Sequence, residues 1–102
     1  MLVQSQDTSI ADALFERVAK GEKAAFEEVH AMYKTRLAYY LKKILEDWQD
    51  IEDVVSDTFI VLWKRKEHIA SDQHLKNFLF VAARNNAFNL LASKNRRQKF
   101  LG

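Results

Sequence analysis

The sequence contains no cysteine and no proline, and its glycines are Gly21 and Gly102 alone. Without cysteine there is neither a disulfide framework nor a thiolate metal site. Without proline, and with glycine so scarce, the residues that punctuate hairpins and sheets are nearly missing, which points to helices. No apolar run is long enough for a signal core or a membrane span, so a cytoplasmic chain without membrane insertion is expected. The three histidines, His30, His68 and His74, lack the close histidine and glutamate spacing of a helical zinc site, and neither metal nor other cofactor is expected. A glycine-rich phosphate loop is missing too, and the carboxylates gather at one helix start without a histidine or lysine partner to tune proton transfer. No constellation of residues supports an enzyme.

What is present is ordinary soluble composition: 102 residues, 48% hydrophobic and 29% charged, enough for one hydrophobic core and too few for two. The net charge of +2 says little by itself, whereas its distribution says more. Glu46, Asp47, Asp50, Glu52, Asp53 and Asp57 follow one another without an intervening base, while from Arg84 onward Lys94, Arg96, Arg97 and Lys99 occur with no acid. Such asymmetry suits two separate binding surfaces, or else one solvated acidic helix face and a frayed basic tail.

Helical periodicity runs through the chain. Ser9 and Asp12 form a plausible capping start for a first helix carrying Ile10, Leu14 and Val18, which Gly21 should end as a left-handed cap. A second helix from about Glu22 presents Phe26, Val29, Tyr33, Leu37, Tyr40, Leu41, Ile44 and Leu45 as one apolar stripe. Asp50 with Asp53 opens a third, with Ile51, Val54, Val55, Phe59, Leu62 and Trp63 inward and Glu52, Asp53, Ser56 and Asp57 outward. After a break at His68 to Asp72, Ser71 or Asp72 caps a fourth helix carrying Leu75, Phe78, Leu79, Ala82, Ala83 and Leu90 and ending in the basic tail. The expected fold is therefore all-α, one compact bundle of about four helices over residues 1–102. Its expected core is Phe26, Val29, Tyr33, Leu37, Val55, Phe59, Leu62 and Leu79.

Three stretches in order carry a family likeness: Gly21 to Phe26 (GEKAAF), Asp50 to Phe59 (DIEDVVSDTF) with Leu62 and Trp63, and Phe78 to Asn85 (FLFVAARN). Together they resemble region two of the bacterial extracytoplasmic-function sigma factors, in the sigma-seventy superfamily. The likeness covers nearly the whole chain, with conservative departures at Glu22, at the Ser56-Asp57 pair and at Phe78. It implies a non-catalytic domain that binds core RNA polymerase and melts the minus-ten promoter element by capturing single-stranded non-template DNA. The second, upstream-element-binding domain of full-length members has no counterpart in these 102 residues.

By the same resemblance, Asp50, Asp53, Ser56, Asp57 and Ile60 would dock on the clamp helices of the polymerase's largest subunit. Residues 53, 56, 57 and 60 share a helix face, and a mixed acidic and apolar patch suits a basic partner helix, although an acidic first turn also simply stabilises its helix. Arg65, Ile69, Ala82 and Asn85 would form the pocket for a flipped base, and Arg84, Lys94, Arg96 and Arg97 would hold phosphates. An anti-sigma factor is a further implied partner. Phe80, Arg84 and Phe88 recur every four residues on the fourth helix; stacking on bases is one reading of that spacing, and core packing is the one large apolar residues usually follow. Two other classes remain for the whole chain: a helical protein-interaction module, or a duplex-binding helix-turn-helix protein. The latter is disfavoured because Leu75, Phe78 and Leu79 occupy the positions where base-reading polar residues should cluster.

Overall fold

The computed structural model describes residues 13–101, with side chains described as far as residue 98. Among them are four α-helices and no strand: α1 (Leu14–Ala19), α2 (Lys23–Leu41), α3 (Trp48–Arg65) and α4 (Asp72–Leu101), with a single 3-10 turn (Lys66–His68) before α4. The fold is the all-α bundle expected from the sequence.

Of the start expected for the first helix, Ser9, Ile10 and Asp12 lie outside the described residues. Ala13 caps α1, its N–H donating to Glu16 Oε1 at 3.2 Å. At the other end Gly21 takes φ +81°, and Gly21 N donates to the Val18 carbonyl at 2.8 Å while Glu22 N donates to that of Arg17 at 3.1 Å. This pair of bonds is a Schellman closure. It satisfies two carbonyls left over at the helix end and needs the left-handed backbone that glycine adopts at least cost.

The apolar stripe of the second helix outlasts the helix itself. α2 ends at Leu41, and Ile44 and Leu45 follow in a turn whose N–H groups return to the Leu41 carbonyl. Leu45 is still buried there. α3 starts earlier than its acidic pattern suggests, because Asp47 accepts the Gln49 N–H at 2.9 Å and is the cap, leaving Asp50 in the first turn. For α4 the capping residue is Ser71, whose Oγ accepts the His74 N–H at 2.9 Å, while His74 Nδ1 accepts that of Ala70 at 2.9 Å. Asp72 reaches instead across the molecule and accepts the Phe15 N–H at 2.8 Å, tying the start of α1 to the start of α4.

α4 continues through the basic segment as helix rather than ending there, so its 30 residues span about 45 Å. The most extensive packing is between α3 and α4. Leu75, Leu79, Ala83 and Ala87, four residues apart, form the buried face of α4 and share one core with Ile51, Val54 and Leu62 of α3 and Leu37 and Leu41 of α2. Of the expected core, Val29, Tyr33, Leu37, Val55, Phe59, Leu62 and Leu79 are buried and Phe26 is half-buried at the edge. Two aromatics depart from expectation. Trp63 is 41% exposed, its ring edge-on to Phe26 and covered by Lys66 Nζ at 4.1 Å. Phe88 is 47% exposed, because the four-residue step from Phe80 drifts around a helix of 3.6 residues per turn onto its outer face.

Candidate polymerase and nucleic-acid interfaces

The outer face of α3 follows from its periodicity. With Ile51, Val54, Val55, Thr58, Phe59 and Leu62 turned inward, Asp53, Ser56, Asp57 and Ile60 are left exposed on the opposite side and Asp50 half-buried at its margin. All five residues singled out in the sequence therefore share that side. Toward α4, Asp50, Asp53 and Asp57 line an acidic groove of ≈ 410 Å³ together with Val54, Asn86, Asn89 and Leu90. Toward α2, Ser56 lines a second groove with His30, Lys34, Trp48 and Glu52. Between these edges Ile60, 52% exposed, lies beside Trp63, Phe26 and Lys64. Gln49 Nε2 donates to Asp53 Oδ1 at 3.1 Å and holds that carboxylate in place. The patch is thus an acidic strip bordered by exposed apolar side chains, the arrangement that a basic, amphipathic helix would cover.

A different cavity opens between the C-terminal half of α3 and the first half of α4. It measures ≈ 420 Å³ and is lined by Val61 and Arg65 from α3 and by His74, Asn77, Phe78, Val81, Ala82, Asn85 and Asn86 from α4. Arg65, Ala82 and Asn85, assigned to one pocket by the sequence, line it together. Ile69 does not: at 5% exposure it is part of the core, because the backbone leaves the 3-10 turn in extended form and drives this side chain inward. Ile69 is accordingly corrected from a wall of the cavity to a support beneath the loop.

Asn86 was not singled out in the sequence, and it lines both the cavity and the acidic groove. Its Nδ2 is buried and without a hydrogen-bond partner among the described residues. A buried amide donor left unpaired is costly. The signal that could have found it is its position one turn beyond Ala82 on the same helical face.

The cations assigned to phosphates are not one patch. Lys94 Nζ is ion-paired with Asp50 Oδ2, and that hydrogen bond, reinforced by the field of Asp47, raises the ammonium pKa above its ordinary value. Arg84 is exposed and holds its guanidinium 5.2 Å from the centre of the Phe88 ring. Arg96 and Arg97 are exposed near the end of α4. The acidic stretch and the basic tail, which looked like separate surfaces, therefore touch at one point.

Comparison with known proteins rests on the same segments. Residues 29–97 match the model of the sigma-70 region 2 family. The chain belongs to this family. It is 30% identical to the RNA polymerase sigma-H factor of Pseudomonas aeruginosa over 97 residues, which are 95% of this chain and 48% of that protein. With the ECF RNA polymerase sigma-E factor of Haemophilus influenzae it shares 33% identity over 85 residues, 83% of this chain and 44% of the relative. The chain thus spans less than half the length of these curated relatives. No solved structure matches it. Membership in sigma-70 region 2 places the chain with transcription-initiation domains rather than with enzymes, and no described helix is long and apolar enough to cross a membrane.

Proposed function

We propose that the chain is the polymerase-binding, promoter-melting region of an extracytoplasmic-function sigma factor. The observation that carries this reading is the convergence of Arg65, Ala82 and Asn85 on one open cavity, in a chain that belongs to sigma-70 region 2. In this reading the outer face of α3 docks on the clamp helices of the polymerase's largest subunit. Its acids meet basic side chains, and Ile60 and Trp63 supply the apolar contact.

The cavity then takes a base unstacked from the non-template strand of the minus-ten element. Ala82 leaves room on the α4 side, Phe78 offers an aromatic wall, and the Asn85 and Asn86 amides hydrogen-bond the exposed edge of the base. Unstacking a base costs a few kcal/mol, which the bound edge and the polymerase contacts offset. Arg84, Arg96 and Arg97 hold phosphates without reading sequence. An anti-sigma factor covering either surface would keep the chain from initiating.

Insertion of α4 into a DNA major groove fits the geometry poorly. Its first residues are tied down by the Ser71 cap and the Asp72 bond to α1, and Leu75 and Leu79 are in the core. The test is binding of single-stranded and duplex promoter DNA, each with and without core polymerase. The sigma reading requires preference for the single strand and its reinforcement by polymerase. Polymerase-independent duplex binding would favour the helix-turn-helix class, and no DNA binding in any form would favour a protein-interaction module.

A further inference from the structure

α4 opens on a capping box in which histidine holds the third helical position, where glutamate or glutamine is usual. Ser71 Oγ accepts the His74 N–H at 2.9 Å, and the return bond runs to the His74 ring, whose Nδ1 accepts the Ala70 N–H at 2.9 Å. A hydrogen bond into Nδ1 needs the lone pair there, so the ring is neutral and carries its proton on Nε2. Glutamine accepts at any pH, whereas histidine accepts only while neutral. A second proton would set Nδ1–H against the Ala70 N–H. It would also place a cation in the first turn of a 30-residue helix, at the positive end of its dipole.

The box is part of the wall of the cavity between α3 and α4. His74 is half-buried and lines that cavity, and Arg65, from α3, is the one permanently charged side chain on the same wall. The segment tied down by the ring is short: Ile69 is anchored in the core, Ala70 is exposed, and Ser71 is the cap. The neighbouring charges are committed elsewhere. On α4, Asp72 accepts the Phe15 N–H. On α1, Glu16 accepts the Ala13 N–H and Arg17 pairs with Glu22 and Glu28. In the 3-10 turn Lys66 donates to the Trp63 carbonyl, and Glu67 and His68 are exposed. No carboxylate pairs with the His74 ring among the described residues, so a charged imidazole would share the cavity wall with Arg65 uncompensated.

We propose that His74 is a proton-sensitive latch: neutral, it ties Ala70 to α4 and holds the cavity in its base-selecting shape, and protonated, it releases the segment and turns the wall cationic. The two consequences act on different parts of a bound strand. Loss of the fixed wall lowers discrimination between bases, while a second cation beside Arg65 attracts phosphates whatever the sequence. Acidification therefore lowers selectivity without abolishing binding. Histidine ordinarily changes charge between about pH 5 and 8, the range in which the latch would open. The effect on base selection rests on the sigma reading, whereas the latch itself is a property of the fold.

Two measurements separate these levels. In nuclear magnetic resonance of the free chain, the His74 ring should carry its proton on Nε2 at about pH 8, and the Ala70 amide signal should move in step with the ring as both titrate toward about pH 5. In His74→Asn, whose Oδ1 can replace Nδ1 as acceptor without titrating, the Ala70 amide should not move over this range. With the chain bound to core polymerase, the ratio of affinities for the preferred and scrambled single strands should fall by about fivefold across the same range, the loss of roughly one hydrogen bond. His74→Asn should keep the higher ratio throughout, His74→Leu should show the lower ratio even at the alkaline end, and His68→Asn should behave as the unaltered chain. A ring proton on Nδ1, an Ala70 amide indifferent to the titration, or the same fall in selectivity in His74→Asn would overturn the latch and leave the cavity standing. No discrimination between strands at either end of the range would overturn the sigma reading, and the selectivity gate with it, even where the resonance data show the latch.

Discussion

Lys94, near the end of α4, is ion-paired with Asp50 in the first turn of α3. The contact ties the half of α4 that outruns the core back to the acidic face. Because the pair raises the lysine pKa, its contribution to stability is fully present below the ordinary lysine value of about 10.4 and is lost as pH rises through the higher folded value. Thermal unfolding should therefore show an alkaline loss of stability in this range that is smaller in Lys94→Met. An exchange of the two charges, Asp50→Lys with Lys94→Asp, should restore more stability than either single change gives. Purely additive effects of the two reversals would show that the pair does not couple the helices.

The same pair removes Lys94 from the freely available phosphate contacts. Neutralising Arg96 or Arg97 should lower the salt slope of DNA binding by roughly one unit or less per contact. Neutralising Lys94 should do so only where polymerase has taken Asp50. Salt titrations with and without polymerase distinguish the cases, and an equal effect of Lys94→Met in both would contradict the pairing.

Leu37 and Phe59 belong to the buried centre of the bundle. Replacement of either by alanine should cost about 2–5 kcal/mol, read as a lower denaturant midpoint with an unchanged slope. A loss below about 0.5 kcal/mol in both, the level of ordinary surface substitutions, would contradict the packing described.

Gly21 isolates a backbone requirement from a steric one. A Cβ added there would meet Lys66 Cε at 3.8 Å and Trp63 Cη2 at 3.9 Å, ordinary contacts, while φ stays at +81°. Gly21→Ala should thus cost about 1–2 kcal/mol through the left-handed conformation alone, and Gly21→Asn less. Equal costs in chemical denaturation would mean that the closure of α1 has some other source.

Asp53 and Asp57 face outward from α3 and are exposed. Replacing both with lysine should abolish association with core polymerase while leaving a cooperative unfolding transition, shifted by about 1 kcal/mol from lost charge near a helix N-terminus. A folded double variant that binds polymerase normally would place the interface elsewhere.

Much of this was legible in the sequence because helical periodicity needs no long-range information. The inward faces of α2 and α3, the left-handed cap at Gly21 and the grouping of Arg65, Ala82 and Asn85 all follow from spacing or from the family likeness. Contacts between distant segments were not legible. Ser71 and Asp72 are alternative caps for α4 by spacing; Ser71 is the cap, and Asp72 bonds to Phe15, fifty-seven residues away. Lys94 looked like a free tail cation until α4 carried it back to Asp50. Ile69 has the composition of a pocket wall, and only the extended backbone after the 3-10 turn shows that it points into the core. Phe88 and Trp63 are apolar enough for a core, and the small drift of helical phase that exposes them is invisible to a spacing of four.

The central claim is that the cavity between α3 and α4 selects an unpaired base, and base discrimination by the chain bound to core polymerase tests it most directly. Affinities for the preferred single strand and for a scrambled strand would be compared across Ala82→Leu, Asn85→Ala and the neutralised Arg96 and Arg97. Filling the cavity or removing the amide should narrow the gap between the two strands by about 1–3 kcal/mol, whereas neutralising the arginines should weaken both alike. Equal losses on the preferred and scrambled strands for Ala82→Leu and Asn85→Ala would contradict the account.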